Sequence, residues 1–183
     1  MSWMDILALG GETGCAFVSK SEVEQSPVIG WLADQVGTVY VKREDRRAVM
    51  GQADDVRGAV AKGSPVALFP EGTTNDGVTI KPFRASLLAS MVDPPKGARV
   101  QPVVIDYGDI AEDIAWTEAE LAPNLKRVLA RRGRMKVDLY FLTPLSDEVT
   151  HDRKLIASVA RDAIVYALAK AGNSASGRVR YRL

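Results

Sequence analysis

The sequence predicts an α/β domain with a central mixed, partly parallel sheet flanked by helices. Three observations carry that expectation. Short apolar runs rich in Val, Ile and Phe alternate along the chain with stretches of helical period. Gly37, Gly63 and Pro94-Pro95 punctuate them where elements should stop. No repeat, linker or low-complexity segment divides the 183 residues, so one domain over 1–183 is expected, long enough to bury a sizeable core.

In chain order, "CAFVSK" (15–20) reads as a short strand and "SPVIGWLADQVG" (26–37) as a brief helix closed by Gly37. "TVYVK" (38–42) is a strand of strong β-formers. Val49, Ala53, Val56 and Val60 then recur at spacings of four, three and four, one face of a helix that stops at Gly63. "PVALF" (65–69) has the composition of a buried strand. "FRASLLASMV" (83–92) reads as a helix ended by Pro94-Pro95. In "ARVQPVVIDYG" (98–108) Pro102 pushes the strand toward an edge or an end. A helix interrupted near Pro123 follows, then the strand "MKVDLYFL" (135–142). A last helix over 152–171 places Leu155, Ile156, Val159, Ala163, Ile164 and Leu168 on one face.

Composition excludes several classes of function. A formal net charge of +1 leaves no global field directed at nucleic acid. The basic residues are nonetheless clustered, in "KREDRR" (42–47), "KRVLARRGRMK" (126–136) and the tail "RVRYRL". Such runs are solvated faces, or they rest against anionic lipid head groups. Cys15 is the only cysteine, so no disulfide forms within the chain, and its apolar setting makes it core. The sole histidine, His151, stands where a helix starts and reads as a surface or capping residue. No run of about 18 apolar residues occurs, and the N-terminus has no basic, apolar leader pattern. The expected compartment is cytoplasmic, with membrane contact left open. Nothing in the ligand spacing suggests a bound metal or cofactor.

Ligands of α/β folds gather at the carboxyl ends of strands, and three segments fall there. Lys42 and Arg43 follow "TVYV"; Pro70, Glu71, Gly72, Thr73 and Thr74 follow "PVALF"; and "SWMD", ending in Asp5, precedes the first strand. A basic pair, a glycine turn with exposed N–H groups and hydroxyls suit a phosphate or another anionic head group.

Nearly the whole chain resembles the lysophosphatidic acid (1-acylglycerol-3-phosphate) acyltransferase family, through three of its four ordered blocks. Block two is matched by Lys20-Ser21-Glu22, Pro27, Gly30 and then Gly37-Thr38-Val39-Tyr40-Val41-Lys42-Arg43. Block three, Phe-Pro-Glu-Gly-Thr, stands at 69–73 with its strand in front. Block four is matched by Val100-Gln101-Pro102-Val103-Val104-Ile105. The resemblance implies a glycerol-3-phosphate acyltransferase-like domain that moves a fatty acyl chain from acyl-CoA or acyl carrier protein to a lysolipid hydroxyl. It implies that Lys20, Arg43, Glu71, Gly72, Thr73 and Thr74 bind the acceptor's polar head. It also implies a general-base histidine oriented by an aspartate in a His-x-x-x-x-Asp first block. The protein is then expected on the cytoplasmic face of the inner membrane, with a lysolipid, an acyl donor and the membrane surface as partners and no nucleic acid.

Two departures shape these expectations. Asp5 matches the aspartate of the first block, but counting back five residues puts its histidine immediately before Met1. The expectation is a chain truncated just after that histidine, with any anchoring segment ahead of it, and little or no acyl transfer by the chain as it stands. A non-catalytic module that binds lipid head groups is the rival from another class. The other departure is Thr74, which stands where the family usually has Arg, trading a bidentate, charge-assisted contact to phosphate for one neutral bond. The preferred acceptor is 1-acyl-sn-glycerol-3-phosphate. The run "FPEGTTNDG" followed by "KPFRASLL" also resembles the branch acting on lyso-ornithine lipids, whose head group has no phosphate.

Overall fold

A computed structural model describes residues 3–20, 39–41, 56–76, 79–116 and 121–173. Three parallel strands form one sheet in the order β2-β1-β3: β1 (Ala16–Lys20), β2 (Val39–Val41) and β3 (Val66–Ala67). Val18 lies opposite Val39, and Ala16 opposite Val66. Parallel neighbours require long crossovers, and the one between β2 and β3 contains helical residues 56–61, labelled α2, which end at Gly63 with φ +88°. Two further strands, β4 (Val103–Asp106) and β5 (Asp138–Phe141), pair antiparallel, Val104 opposite Tyr140. The mixed, partly parallel character is as the sequence predicts. Among the described residues the ladders divide it into a parallel triplet and an antiparallel pair.

Most strands sit where β-formers accumulate. β4 begins directly after Pro102, whose carbonyl accepts the Leu142 N–H at 3.0 Å, so the proline closes the ladder end and interrupts nothing. β3 is only two residues long, because the chain leaves the sheet at Leu68 to enter the turn described below. Along 137–141 the alternation buries Val137 and, in β5, Leu139 but leaves Phe141 41% exposed, and Asp138 is buried with Lys136 as its partner. The helix read over 26–37, and residues 44–55 of the one read before Gly63, lie outside the described residues.

Helices depart further from the sequence reading. The residues ahead of β1 form α1 (Trp3–Thr13), which Gly10 and Gly11, poor helix formers, had hidden. "FRASLLASMV" forms a 3₁₀ helix, Ala85–Met91, in place of an α-helix. Both its ends are tied: the Arg84 N–H to the Pro70 carbonyl at 2.9 Å, and the Asp93 N–H to the Thr150 carbonyl at 3.1 Å. A 3₁₀ helix rises about 2.0 Å per residue against 1.5 Å, so the same residues reach further between two anchors. After a 3₁₀ turn at Gly108–Ile110 come α3 (Ala111–Ile114) and α4 (Leu121–Leu129); Pro123 sits in the first turn described, where its missing N–H removes no bond. α5 (Asp147–Thr150) and α6 (Arg153–Asn173) are the last described elements. Asp152 caps α6, its Oδ1 accepting the N–H groups of Lys154 and Leu155 at 2.6 and 3.1 Å. His151 is a surface residue paired with Asp93, and it stands at the C-cap of α5 while Asp152 caps the start of α6. The α6 stripe centres on Ile156, Ala157 and Ala160, with Leu155 turned outward. No described helix is long and apolar enough to cross a membrane.

Among the described residues three apolar clusters are buried. Ala8, Leu9, Cys15, Phe17, Val137 and Leu139 join α1 to the strands of both ladders, with Phe17 stacked on Phe69 at 5.8 Å between centroids. Leu88, Ile156 and Ala157 seal the 3₁₀ helix against α6. Trp3, Ile114 and Val128 fasten the start of α1 to α3 and α4. At that junction Asn124 is fully buried; its Oδ1 accepts the Trp3 indole N–H at 2.9 Å and its Nδ2 donates to the Ala115 carbonyl at 2.8 Å. Asn124→Leu keeps the volume and orphans the Trp3 indole N–H, while the Ala115 carbonyl keeps Arg127 as a donor. For that one buried orphan, chemical denaturation should show a loss of about 1–3 kcal/mol. Asn124→Asp at low pH, where the neutral acid can still donate and accept, should lose less.

Candidate active site

The segment after β3 builds a rigid corner. Pro70 fixes the φ that the second position of a turn needs, and the Gly72 N–H closes the turn on the Phe69 carbonyl at 3.2 Å. Gly72 has φ +67°, and a Cβ there would stand 2.9 Å from Leu87 Cδ1, so only glycine fits. From this turn the Glu71 carboxylate points back into its own loop. Glu71 Oε2 accepts the Asn75 amide at 2.8 Å and the Lys81 N–H at 3.4 Å, leaving Oε1 outside both bonds. Asn75, 6% exposed, also donates to the Thr79 carbonyl at 2.8 Å, so one amide closes the loop on itself. Thr79 is held again by Asp76. From α6, Arg161 donates to the carbonyls of Ile80 and Lys81 and clamps the far strand of the loop.

Asp5 lines one cavity with Glu71. It lies in the first turn of α1, 5% exposed, and accepts the Tyr107 hydroxyl at 2.9 Å. Burial, with the Asp5 carboxylate beside it, raises the Tyr107 phenol well above its ordinary value. The phenol therefore stays protonated and remains a donor at any working pH. Burial likewise raises the Cys15 thiol, in keeping with a core residue. The cavity, of about 770 Å³, is lined by both groups, Asp5 with Tyr107 and Glu71 with Asn75, by apolar side chains such as Leu88, Met91 and Ile156, and by the cations Arg57, Lys96 and Arg99.

The structure thus brings Asp5 and Glu71 to one cavity. Gly72, Thr73 and Thr74 lie on the same corner but outside that wall. The Thr73 hydroxyl donates to the Thr74 carbonyl at 3.3 Å, and Lys81 Nζ reaches the same carbonyl at 3.2 Å. Lys20 ends β1, its backbone paired with Val41, and its side chain lies outside the described residues, as does Arg43. Sequence reasoning missed Tyr107, Asn75 and Arg161. Tyr107 carried a signal, being a phenol at the carboxyl end of β4; Asn75 was hidden in an ordinary turn tripeptide.

Glu71 makes a test of this geometry. Burial raises its carboxyl above the ordinary value, while the Lys81 N–H and the Asn75 amide oppose the shift. A folded-state value above the unfolded one means that folding takes up a proton. The stability this contributes is complete below the unfolded value, about 4.3, and is lost as pH rises through the folded-state value. Glu71→Gln keeps an acceptor for both donors and removes the buried charge. In denaturation series across pH it should be at least as stable as the parent near neutrality, with the difference vanishing below about pH 4.

The acyltransferase family model matches residues 1–106. Among characterised proteins, the lyso-ornithine lipid O-acyltransferase of Rhodobacter capsulatus is 32% identical over 169 residues, covering 88% of this chain and 61% of that protein. The enzyme of that name from Rhizobium meliloti is 35% identical, covering 84% and 56%. The 1-acyl-sn-glycerol-3-phosphate acyltransferase of Neisseria gonorrhoeae is 34% identical over 109 residues, covering 60% and 42%. The chain spans about three fifths of the length of the first two of these relatives. In fold it is similar to the crystal structure of the 1-acyl-sn-glycerophosphate (LPA) acyltransferase PlsC from Thermotoga maritima, with a TM-score of 0.62 and 19% identity over 96% of this chain and 65% of that one. With more than half of its residues inside the family model, the chain belongs to the acyltransferase family.

Proposed function

We propose that the chain forms the catalytic domain of a lysolipid O-acyltransferase that works at a membrane surface, with acyl-CoA or acyl carrier protein as donor. The observation that carries this reading is that Asp5 and Glu71 line one cavity, together with many apolar side chains. On this reading Asp5, held by Tyr107, orients and charge-stabilises a histidine base five residues before it. The base takes the proton of the acceptor hydroxyl, the oxygen attacks the thioester carbon, and the thiol leaves. The corner at 70–74, with Lys20 and Arg43, receives the polar head, and the apolar wall receives acyl chain.

For the acceptor, lyso-ornithine lipid is the reading favoured by the relatives that match across most of the chain. Thr74, a neutral hydroxyl, suits a head group without phosphate. 1-Acyl-sn-glycerol-3-phosphate is the alternative, favoured by the Neisseria relative.

The test uses the chain extended in frame through the position five residues before Asp5, given lyso-ornithine lipid and 1-acyl-sn-glycerol-3-phosphate in parallel with labelled acyl donor. Transfer to one acceptor should dominate. Tyr107→Phe should lower kcat roughly tenfold or more, as for loss of a hydrogen bond to a charged group, and Asp5→Asn by about 10²–10⁴. Glu71→Gln should raise the KM for the lysolipid and leave that for the donor. No transfer above background to either lysolipid would reject the proposal.

A further inference from the structure

Six of the eleven residues from Lys126 to Lys136 are cations, and no carboxylate lies among them. Three are engaged. Arg127 donates to the carbonyls of Asp113 and Ala115, Arg131 pairs with the Asp113 carboxylate, and Lys136 holds Asp138 at 2.9 Å. Lys126, Arg132 and Arg134 are exposed and have no carboxylate partner among the described residues. Leu129, one turn beyond Lys126 on the same side of α4, is 70% exposed, the highest value among the large hydrophobic side chains described. Cations near a helix C-terminus complement its dipole, which accounts for Lys126. It explains neither Arg132 and Arg134, beyond the helix end, nor an aliphatic side chain standing in water.

We propose that this outer face of α4, with the loop that follows it, rests on the anionic head groups of a phospholipid bilayer. Leu129 enters the interface while Lys126, Arg132 and Arg134 meet lipid phosphates. An exposed aliphatic side chain close in sequence to cations that have no carboxylate partner among the described residues is the pattern of interfacial attachment, with buried apolar area and charge acting together. The placement also serves the chemistry. The inner face of α4 holds Trp3 through Asn124, so a bilayer on the outer face lies about one helix diameter, roughly 10 Å, from the helix start that carries Asp5. Choosing a bilayer as the partner rests on the lysolipid reading above.

The test is co-sedimentation of Met1–Leu183 with phosphatidylcholine vesicles made with and without phosphatidylglycerol, at low and high salt. Binding should require phosphatidylglycerol and weaken with salt. Replacing Lys126, Arg132 and Arg134 by Gln should reduce affinity roughly fivefold for each cation lost, on the order of a hundredfold together. Leu129→Ser should weaken it further, with thermal unfolding unchanged in both variants. Equal binding by parent and triple variant would overturn the proposal, as would failure of the parent to bind. So would loss by the variant of an acidic acyl carrier protein with vesicle binding intact, which would assign the face to a protein. A separate assay isolates the parent reading: acyl transfer to detergent-dispersed lysolipid by the upstream-extended chain. The triple variant should keep that activity and lose it on vesicles. Absence of transfer in detergent by the unsubstituted chain would strike the lysolipid reading, with the vesicle result standing on its own.

Discussion

A carboxylate taken out of water needs partners, because an isolated buried charge costs many kcal/mol. Asp5 is 5% exposed and accepts the Tyr107 hydroxyl, and the rest of the arrangement depends on that contact. It joins the first turn of α1 to the end of β4, elements about a hundred residues apart in the chain. Two residues earlier, Trp3 is held by Asn124 of α4. The helix start is thus fixed from two directions, by the antiparallel ladder and by α4, and the carboxylate has one orientation toward the cavity.

The corner that carries Glu71 obeys the same physics with different parts. Polar groups withdrawn from water need partners, and the described residues between Glu71 and Lys81, most of them half-buried, find them in the Asn75 amide, the Glu71 carboxylate and Arg161 from α6. Pro70 and Gly72 turn the backbone so that this closure is possible. The family motif therefore serves structure first. Glu71 is spent partly on its own loop, and only Oε1 stands outside those bonds, so any contact with a ligand is made by a carboxylate already positioned and already reluctant to ionise.

What the sequence disclosed follows from which forces are local. β-branched and aromatic runs marked β1, β2, β4 and β5, and an unbroken apolar stripe marked α6, because side-chain period and burial act within a few residues. The 69–73 motif disclosed the corner. Hidden from view were features set by distant partners. The 3₁₀ geometry of Ala85–Met91 follows from anchors at Pro70 and Thr150, which no local propensity reports. α1 forms despite Gly10 and Gly11 because Trp3, Ala8 and Leu9 find apolar neighbours across the chain. The Trp3–Asn124 bond spans 121 positions, and Asn75 resembles any turn residue until its two acceptors are seen.

The central claim is that Asp5 with Tyr107 and Glu71 with Asn75 form one ligand pocket, not two unrelated polar spots. Side-chain NMR signals of Tyr107 and of the Asn75 amide, followed as a lysolipid is titrated below its micellar concentration, test it directly. One pocket requires both signals to shift along the same saturation curve with a single Kd. Movement of one signal alone, or two curves with separate midpoints, would contradict the account.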